Sequence, residues 1–451
     1  MKEKLYNLSP IFIQNILISL YGYKLKRERY SKYYKNKMGE LRKRVEPKFD
    51  YYGYQLDQLN KFLDYAKKNS VYYSKLISSR SLPLKSVEEI KDIPVLEKED
   101  IRKNIEEIVS IPKSGGIKSQ TGGTTGKSLT VYYTNRDMQE RMAYLDYFKE
   151  KHGIRKGMKR ASFGGRTMVP LKQKKKVFWR YNLPLKQMLF SSFHLSEENI
   201  PYYIKALNKF KPHSLDGFPS VILQIAKYAL RNNIKFTFKP IAIFPNAETL
   251  LSEDKKIIEK AFNSIVRDQY ASSEGAPFIT ECPYGSLHLN IDTGVFESVN
   301  VRGNVGEIYV TSFTTRGTPL IRYKIGDSVE FKEGICSCGA KTPIIKRIIG
   351  RSMDYLYSEE RGAVNSPNIA NTVKKLPHSV KNIQFVQNEY DRIIVNVVRD
   401  DTLYKEEHTN IIIKELQKRL GEKLYFEVRF LDKIPVQNSG KTRFIINNLN
   451  K

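Results

Sequence analysis

Ten consecutive residues, Ser119-Gln120-Thr121-Gly122-Gly123-Thr124-Thr125-Gly126-Lys127-Ser128, hold three glycines and three threonines between two segments that read as strands. A fold built around this stretch has a turn that can aim several backbone N–H groups and hydroxyls at one centre, because glycine leaves no Cβ in the way. The fitting guest is an anion, phosphate above all. The P-loop pattern G-x-x-x-x-G-K-[ST] needs a glycine where Thr121 stands, and it opens a helix. Here Ser128 to Thr134 reads Ser-Leu-Thr-Val-Tyr-Tyr-Thr, a strand pattern, so that class is excluded. A plain Gly-rich hairpin turn fits the same residues, and the loop alone does not choose between the two.

With 451 residues, 40% of them hydrophobic, the chain can bury more than one core. No run of eighteen apolar residues occurs, so no segment reads as membrane-spanning. Residues 11–20 resemble the apolar part of a signal peptide, but Gln14 and Asn15 interrupt it and no small-residue cleavage site follows. The expectation is a cytoplasmic protein. The net charge of +29 is unevenly spread: residues 151–190 carry twelve Lys/Arg and no Asp or Glu. That segment could meet a polyphosphate tail, an acyl-carrier protein or a membrane surface. Nucleic acid is the other reading of so basic a chain, but no helix-turn-helix, zinc-finger or RNA-recognition signature accompanies it, and no nucleic-acid partner is expected. A compositional bias with solvated lysines accounts for much of the excess.

The first 110 residues read as largely helical. Leu59, Phe62, Leu63 and Ala66 fall at i, i+3, i+4 and i+7, one buried stripe. Residues 2–30 mix apolar residues and tyrosines with a basic flank (Lys24, Lys26, Arg27, Arg29). Such a helix either packs on its own domain, which we favour, or makes a peripheral membrane contact. From 115 to 350, β-rich runs alternate with helical ones: 221–230 is a helix with Ser220 as its N-cap, and 241–244 a buried strand. Residues 345–354 read as a last strand and a joint. Beyond it lie strands at 393–398 and 424–430 and a helix at 403–420. The fold class is therefore α/β, with a large N-terminal domain (1–350) of mixed sheets and helices, and a small, mobile α+β C-terminal domain (351–451).

Further clusters follow in order: Tyr270-Ala271-Ser272-Ser273-Glu274, Arg322-Tyr323-Lys324-Ile325-Gly326-Asp327, Gly350-Arg351-Ser352-Met353-Asp354, and Pro435 to Arg443 with Lys441 in a loop. Each alone reads as a turn. Together, in this order, they resemble the core motifs of the adenylate-forming ligases, the acyl-CoA synthetase superfamily, and are most similar to its phenylacetate–coenzyme A ligase and CapK-like capsule-biosynthesis branch.

The resemblance covers nearly the whole chain and implies an enzyme. It would use ATP and Mg2+ to adenylate a small carboxylic acid, then pass the acyl group to coenzyme A or another thiol or amine. It implies that Thr121, Gly122, Gly123, Thr124, Thr125, Gly126 and Lys127 hold the phosphates. Glu274 would carry Mg2+, Asp327 the ribose hydroxyls, and Arg351 the ribose and phosphate. Ala247-Glu248 would lie at the adenine, and Tyr270 would belong to the ATP-binding residues. Lys441 is the implied adenylation lysine and Asp354 the hinge. The chemistry agrees: a carboxylate attacking the α-phosphorus brings two anions together, and cations and N–H donors must offset them. The acyl pocket falls at 215–275, where Phe218, Phe244 and Tyr270 suit an aromatic or alkyl group.

The three cysteines, Cys282, Cys336 and Cys338, sit close in sequence, and an odd number argues against disulfides. With His288 they form C-x5-H and C-x-C, three thiolates and one imidazole, a complete tetrahedral shell for structural Zn2+. Small buried thiols beside a surface histidine are the plainer alternative; similar Cys/His sets occur in the CapK-like branch. The remaining histidines, at 152, 194, 213, 378 and 408, show no paired spacing. Two rivals stand beside the ligase: a basic nucleic-acid-binding protein, and a ligase fold that no longer catalyses.

Overall fold

Helices take up most of the first hundred residues of this computed structural model, which describes residues 2–46, 48–77, 82–120, 129–248, 250–349, 355–373, 375–377, 379–434 and 444–449. The long helix Tyr51–Asn69 starts on Asp50, whose carboxylate accepts from the Gly53 N–H. Leu59, Phe62, Leu63 and Ala66 are all buried, as their spacing predicts. They pack on the inner face of a seven-stranded sheet.

That sheet is antiparallel throughout, in the order Gly294–Arg302, Val305–Ser312, Tyr323–Lys332, Ile344–Ile349, Leu287–Leu289, Ile279–Glu281, Gln269–Tyr270. A second sheet of six strands runs Trp179–Asn182, Gln187–Ser191, Arg160–Gly164, Ser214–Gly217, Ala242–Pro245, Ile265–Val266. It is parallel except for its first strand, and the helices Ile200–Phe210, Pro219–Arg231 and Ser252–Phe262 provide crossovers. Its core is separate from the first. A two-stranded hairpin, Ile117–Gln120 with Thr130–Tyr133, stands apart from both sheets.

From Tyr355 onward, a four-stranded sheet (Tyr425–Phe430, Arg392–Arg399, Val380–Gln387, Ile445–Asn447), a small hairpin and the helices Ser366–Val373 and Glu406–Leu420 share a third core. It touches the larger body through Arg419, whose guanidinium lies 4.2 Å from the Phe193 ring centroid and donates to Thr167 Oγ1. Asn368 and Ser192 are hydrogen-bonded across the same contact.

Two local expectations need correction. The helix expected at 221–230 starts at Pro219, and Ser220 does not cap it. Proline presets helical φ and needs no N–H partner in the first turn, so it begins the helix ahead of the serine. The helix expected from 403 starts at Glu406, because Asp400 binds the Thr402 N–H and hydroxyl and holds 400–402 in a turn.

Candidate functional site

Gln120 and Thr130 are the last paired residues of the hairpin. They flank the expected phosphate loop, 121–127; Thr121 to Ser128 themselves lie outside the described residues. The segment after the loop is a strand, and the helix Asn135–Lys151 begins only past the Thr134 cap. This topology supports the exclusion of a P-loop.

The hairpin grips the turn that carries Glu274. Ser119 Oγ and Tyr133 OH both donate to the Ser273 carbonyl, at 3.0 and 2.9 Å. Burial pushes the Tyr133 phenol up, so it keeps the proton it donates. Behind the turn, buried Arg141 donates to the Gly275 and Ala276 carbonyls and to Thr314 Oγ1. Gly275 has φ +102°, and a Cβ there would sit 2.5 Å from Thr315 and 2.7 Å from Tyr133 OH. Glu274 is half-buried, and among the described residues its carboxylate has no hydrogen-bond or ion-pair partner. It is therefore available to a cation beside the loop.

Tyr270 OH donates to Asp327 Oδ2 at 2.7 Å. Their strands are four steps apart in the sheet order, about 19 Å in a flat sheet at roughly 4.8 Å per step. One phenol bridges them, so the sheet curls strongly. Pairing shifts between Glu307↔Ser328 and Tyr309↔Lys324, which leaves Ile325-Gly326-Asp327 as a bulge. Such a bulge re-aims a side chain out of the regular alternation.

Ala247-Glu248 follows the carboxyl end of Ala242–Pro245, the edge where open parallel sheets bind ligands. Asn246 N–H donates to the Gly217 carbonyl, and Gln269 Nε2 to the Pro245 carbonyl. The turn therefore lies one residue from Tyr270. Ala247 has φ +66°. The Glu248 carboxylate accepts from both the N–H and the hydroxyl of Ser220, each at 3.0 Å, and burial pushes it up to about 7. It is bound to the first turn of Pro219–Arg231, so what this turn can offer a base is its backbone. Phe244 packs against Phe148 and His152 in a core of its own rather than lining an acyl pocket with Tyr270.

Arg351, Asp354 and Lys441 lie outside the described residues. Arg141, which holds the Glu274 turn together with Tyr133 and Ser119, carries no motif and reads in sequence as an ordinary helix-surface charge. The basic segment is partly internal: Arg180 is fully buried, donating to Gln14 and Gln173, and Arg160 faces Asp216.

The cysteines and His288 come together. Their ligand atoms all lie within 4.8 Å of one another, with Cys282 Sγ 3.6 Å from Cys336 Sγ and Cys338 Sγ 3.5 Å from His288 Nε2. A tetrahedral zinc shell has edges of about 3.8 Å between sulfurs and about 3.6 Å between sulfur and nitrogen, while a disulfide would need about 2.05 Å. Burial pushes His288 down to about 4, which keeps it neutral as a ligand must be. With Nε2 toward the sulfurs, Nδ1 donates to Thr342 Oγ1 at 2.8 Å. The donor set and its spacing fit zinc.

The profile of the CapK C-terminal domain matches residues 356–448. Protein CapK of Staphylococcus aureus is 48% identical over 453 aligned residues, covering 100% of both chains. The indoleacetate–lysine synthetase of Pseudomonas savastanoi is 28% identical over 34% of this chain and 43% of its own. Among solved structures, a 2-hydroxyisobutyryl-CoA ligase bound to its acyl-adenylate and CoA superposes with TM-score 0.57 at 17% identity, over 90% of this chain and 94% of its own. The same ligase in its postadenylation state gives TM-score 0.52.

Proposed function

Because the chain belongs to the CapK family and has the fold of the adenylate-forming ligases, we propose that it activates a small carboxylic acid with ATP and transfers the acyl group to a thiol or amine. The carrying observation is convergence: the hairpin that brackets the phosphate loop holds the Glu274 turn, and four residues before Glu274, Tyr270 binds Asp327. These contacts support placing the loop, the Glu274 carboxylate and the oriented Asp327 carboxylate in one site.

In this reading Thr121 to Lys127 hold the ATP phosphates and Glu274 holds Mg2+, which supplies charge neutralisation at the phosphates. Asp327, fixed by Tyr270, accepts from the ribose hydroxyls; a carboxylate can take two O–H donors. Arg351 adds a cation near the sugar and phosphate. Lys441 brings the acid and the α-phosphate together, and Asp354 is the pivot that exchanges it for the acceptor. Cys282, His288, Cys336 and Cys338 hold a structural zinc. The acceptor is coenzyme A, a carrier thiol or an amine; the indoleacetate–lysine synthetase among the relatives supports the amine. The likeness to the capsule-biosynthesis branch points the acyl group toward a surface polysaccharide.

Pyrophosphate release with a panel of carboxylic acids tests the reading. Lys441→Ala should lower adenylate formation by orders of magnitude, while transfer from a supplied acyl-adenylate survives. Equal loss of both steps removes Lys441 from the first; no acid-dependent pyrophosphate release from the parent removes the ligase assignment.

A further inference from the structure

The helix Ile11–Arg29 carries apolar residues all round and leaves many of the largest at the surface. It runs along Trp179–Asn182, the edge strand of the six-stranded sheet. Its fully buried residues, Gln14 and Gly22, are polar or small, and Ile11, Ile18 and Leu25 are half-buried beside them. Gln14 is 2% exposed and accepts from the buried Arg180; Gly22 is buried against Asn182. Asn15 Oδ1 accepts from the Tyr181 N–H, and Ser19 Oγ meets the Tyr181 carbonyl and the Leu183 N–H. Asn15 and Ser19 satisfy backbone groups that an edge strand leaves open, which explains the polar residues on the inner face.

The outer face has no such explanation. Phe12 is 64% exposed, Ile16 53% and Leu20 60%, at i, i+4 and i+8, with Leu17, Tyr21 and Tyr23 exposed beside them. Leu8, 85% exposed, and Leu5 extend the patch along the preceding helix Lys2–Leu8, and exposed Leu183 adjoins Ser19. A run of this size is more than the scattered apolar residues a surface normally carries.

Charge names the occupant. The stripe ends in exposed Lys24, Lys26 and Arg27. Tyr6 OH binds the Met168 carbonyl, and the loop that follows carries exposed Lys172, Lys174 and Lys175. Among the described residues no helix is long and apolar enough to cross a membrane. Exposed apolar side chains bordered by cations suit a helix lying in the plane of an anionic bilayer, with the stripe among the acyl chains and the lysines at the headgroups. A nucleic acid would meet the cations but not the leucines.

We propose that the outer face of residues 5–27 docks this protein on anionic lipid. The proposal is independent of the ligase reading, because docking needs neither ATP nor acid.

The test uses the full chain and sedimented vesicles of phosphatidylcholine with or without phosphatidylglycerol. Binding should require the anionic lipid and weaken with salt. Phe12→Asp with Leu20→Asp should cut the partition coefficient at least roughly a hundred-fold, since burying each such side chain is worth about a factor of ten or more. Phe12→Trp, which keeps the face apolar, should gain a blue-shifted emission quenched by bromine-tailed lipid. No sedimentation with either vesicle, or sedimentation untouched by the double substitution, overturns the proposal. So does an unquenched Phe12→Trp variant, or a self-associated species in lipid-free solution that the same double substitution disperses.

Discussion

Stripping the metal from the cysteine cluster should cost a calculable amount of stability. Cys282 and Cys336 are 54 residues apart in sequence. A permanent cross-link closing a loop of that length is worth about 14 cal/mol/K of chain entropy, about 4 kcal/mol at 25 °C, and we take this as a floor, because a structural zinc contributes its binding free energy to folding. The metal also joins the hairpin bearing Cys282 and His288 to the turn bearing Cys336 and Cys338. Its loss would therefore act on the larger body, taken as the expected N-terminal domain of residues 1–350. A unit of that length unfolds with an entropy of about 0.7 kcal/mol/K near its midpoint, so 4 kcal/mol corresponds to a drop of about 5–6 °C. The assay is metal analysis of protein purified without chelator, expected to give about one zinc per chain. Calorimetry under a non-thiol reductant then follows, before and after removal by a high-affinity chelator. Cys282→Ser should lower both zinc content and midpoint. Protein that holds no zinc, or loses it with its midpoint unchanged, refutes the reasoning.

Tyr270→Phe deletes one hydrogen bond to a carboxylate, worth about 1.5–3 kcal/mol; in steady-state kinetics it should raise KM for ATP roughly ten-fold or more, with kcat changed less and little change in thermal midpoint. Gly275→Ala forces a Cβ against Thr315 and Tyr133 at a φ of +102°; the strain of about 1–3 kcal/mol should appear in chemical denaturation, and pyrophosphate release should fall as the Glu274 turn shifts. For Glu248 the sign follows from its folded pKa, raised by burial from 4.5 to about 7. The folded state keeps this proton while the unfolded state loses it, so parent stability falls as pH rises through that interval. Glu248→Gln lacks this loss, and its stability relative to the parent should gain up to about 3 kcal/mol between pH 4.5 and 7.5 in urea titrations. A gap independent of pH would contradict the burial argument.

What was legible in the sequence was what depends on near neighbours. The stripe Leu59-Phe62-Leu63-Ala66 declares a helix because its burial repeats every turn, and strand Arg392–Arg399 declares itself by β-branched residues. The Cys/His set was legible by ligand type, although only sheet pairing brings His288 and Cys338 together. Ser220 misled because a cap residue and a first-turn residue differ only in backbone angles that Pro219 sets. The helix Ile11–Arg29 packs on its own domain as expected, but it does so largely through polar side chains. Its partners are backbone groups of a strand some 160 positions away, and no local pattern records them. Arg141 was invisible for the same reason: its acceptors are carbonyls of a distant turn.

The placement of the candidate site depends on the strongly curled sheet. Glu274 and Asp327 act together only if Gln269–Tyr270 and Tyr323–Lys332 approach closely, although three strands separate them in the pairing order. Hydrogen bonding between neighbouring strands leaves the degree of curl free, so something must fix it. Tyr270 OH on Asp327 is one tie. The cysteine cluster is a second, because it joins Ile279–Glu281 and Leu287–Leu289 to the connection that follows Tyr323–Lys332. In the proposed reading a zinc there would not touch the nucleotide and would still set how far Glu274 and Asp327 stand apart. Chelation should therefore raise KM for ATP at temperatures well below the unfolding midpoint, and Tyr270→Phe should make that rise larger than the two effects multiplied separately. Multiplicative effects, with no excess in the double perturbation, would mean that the curl is held by other contacts.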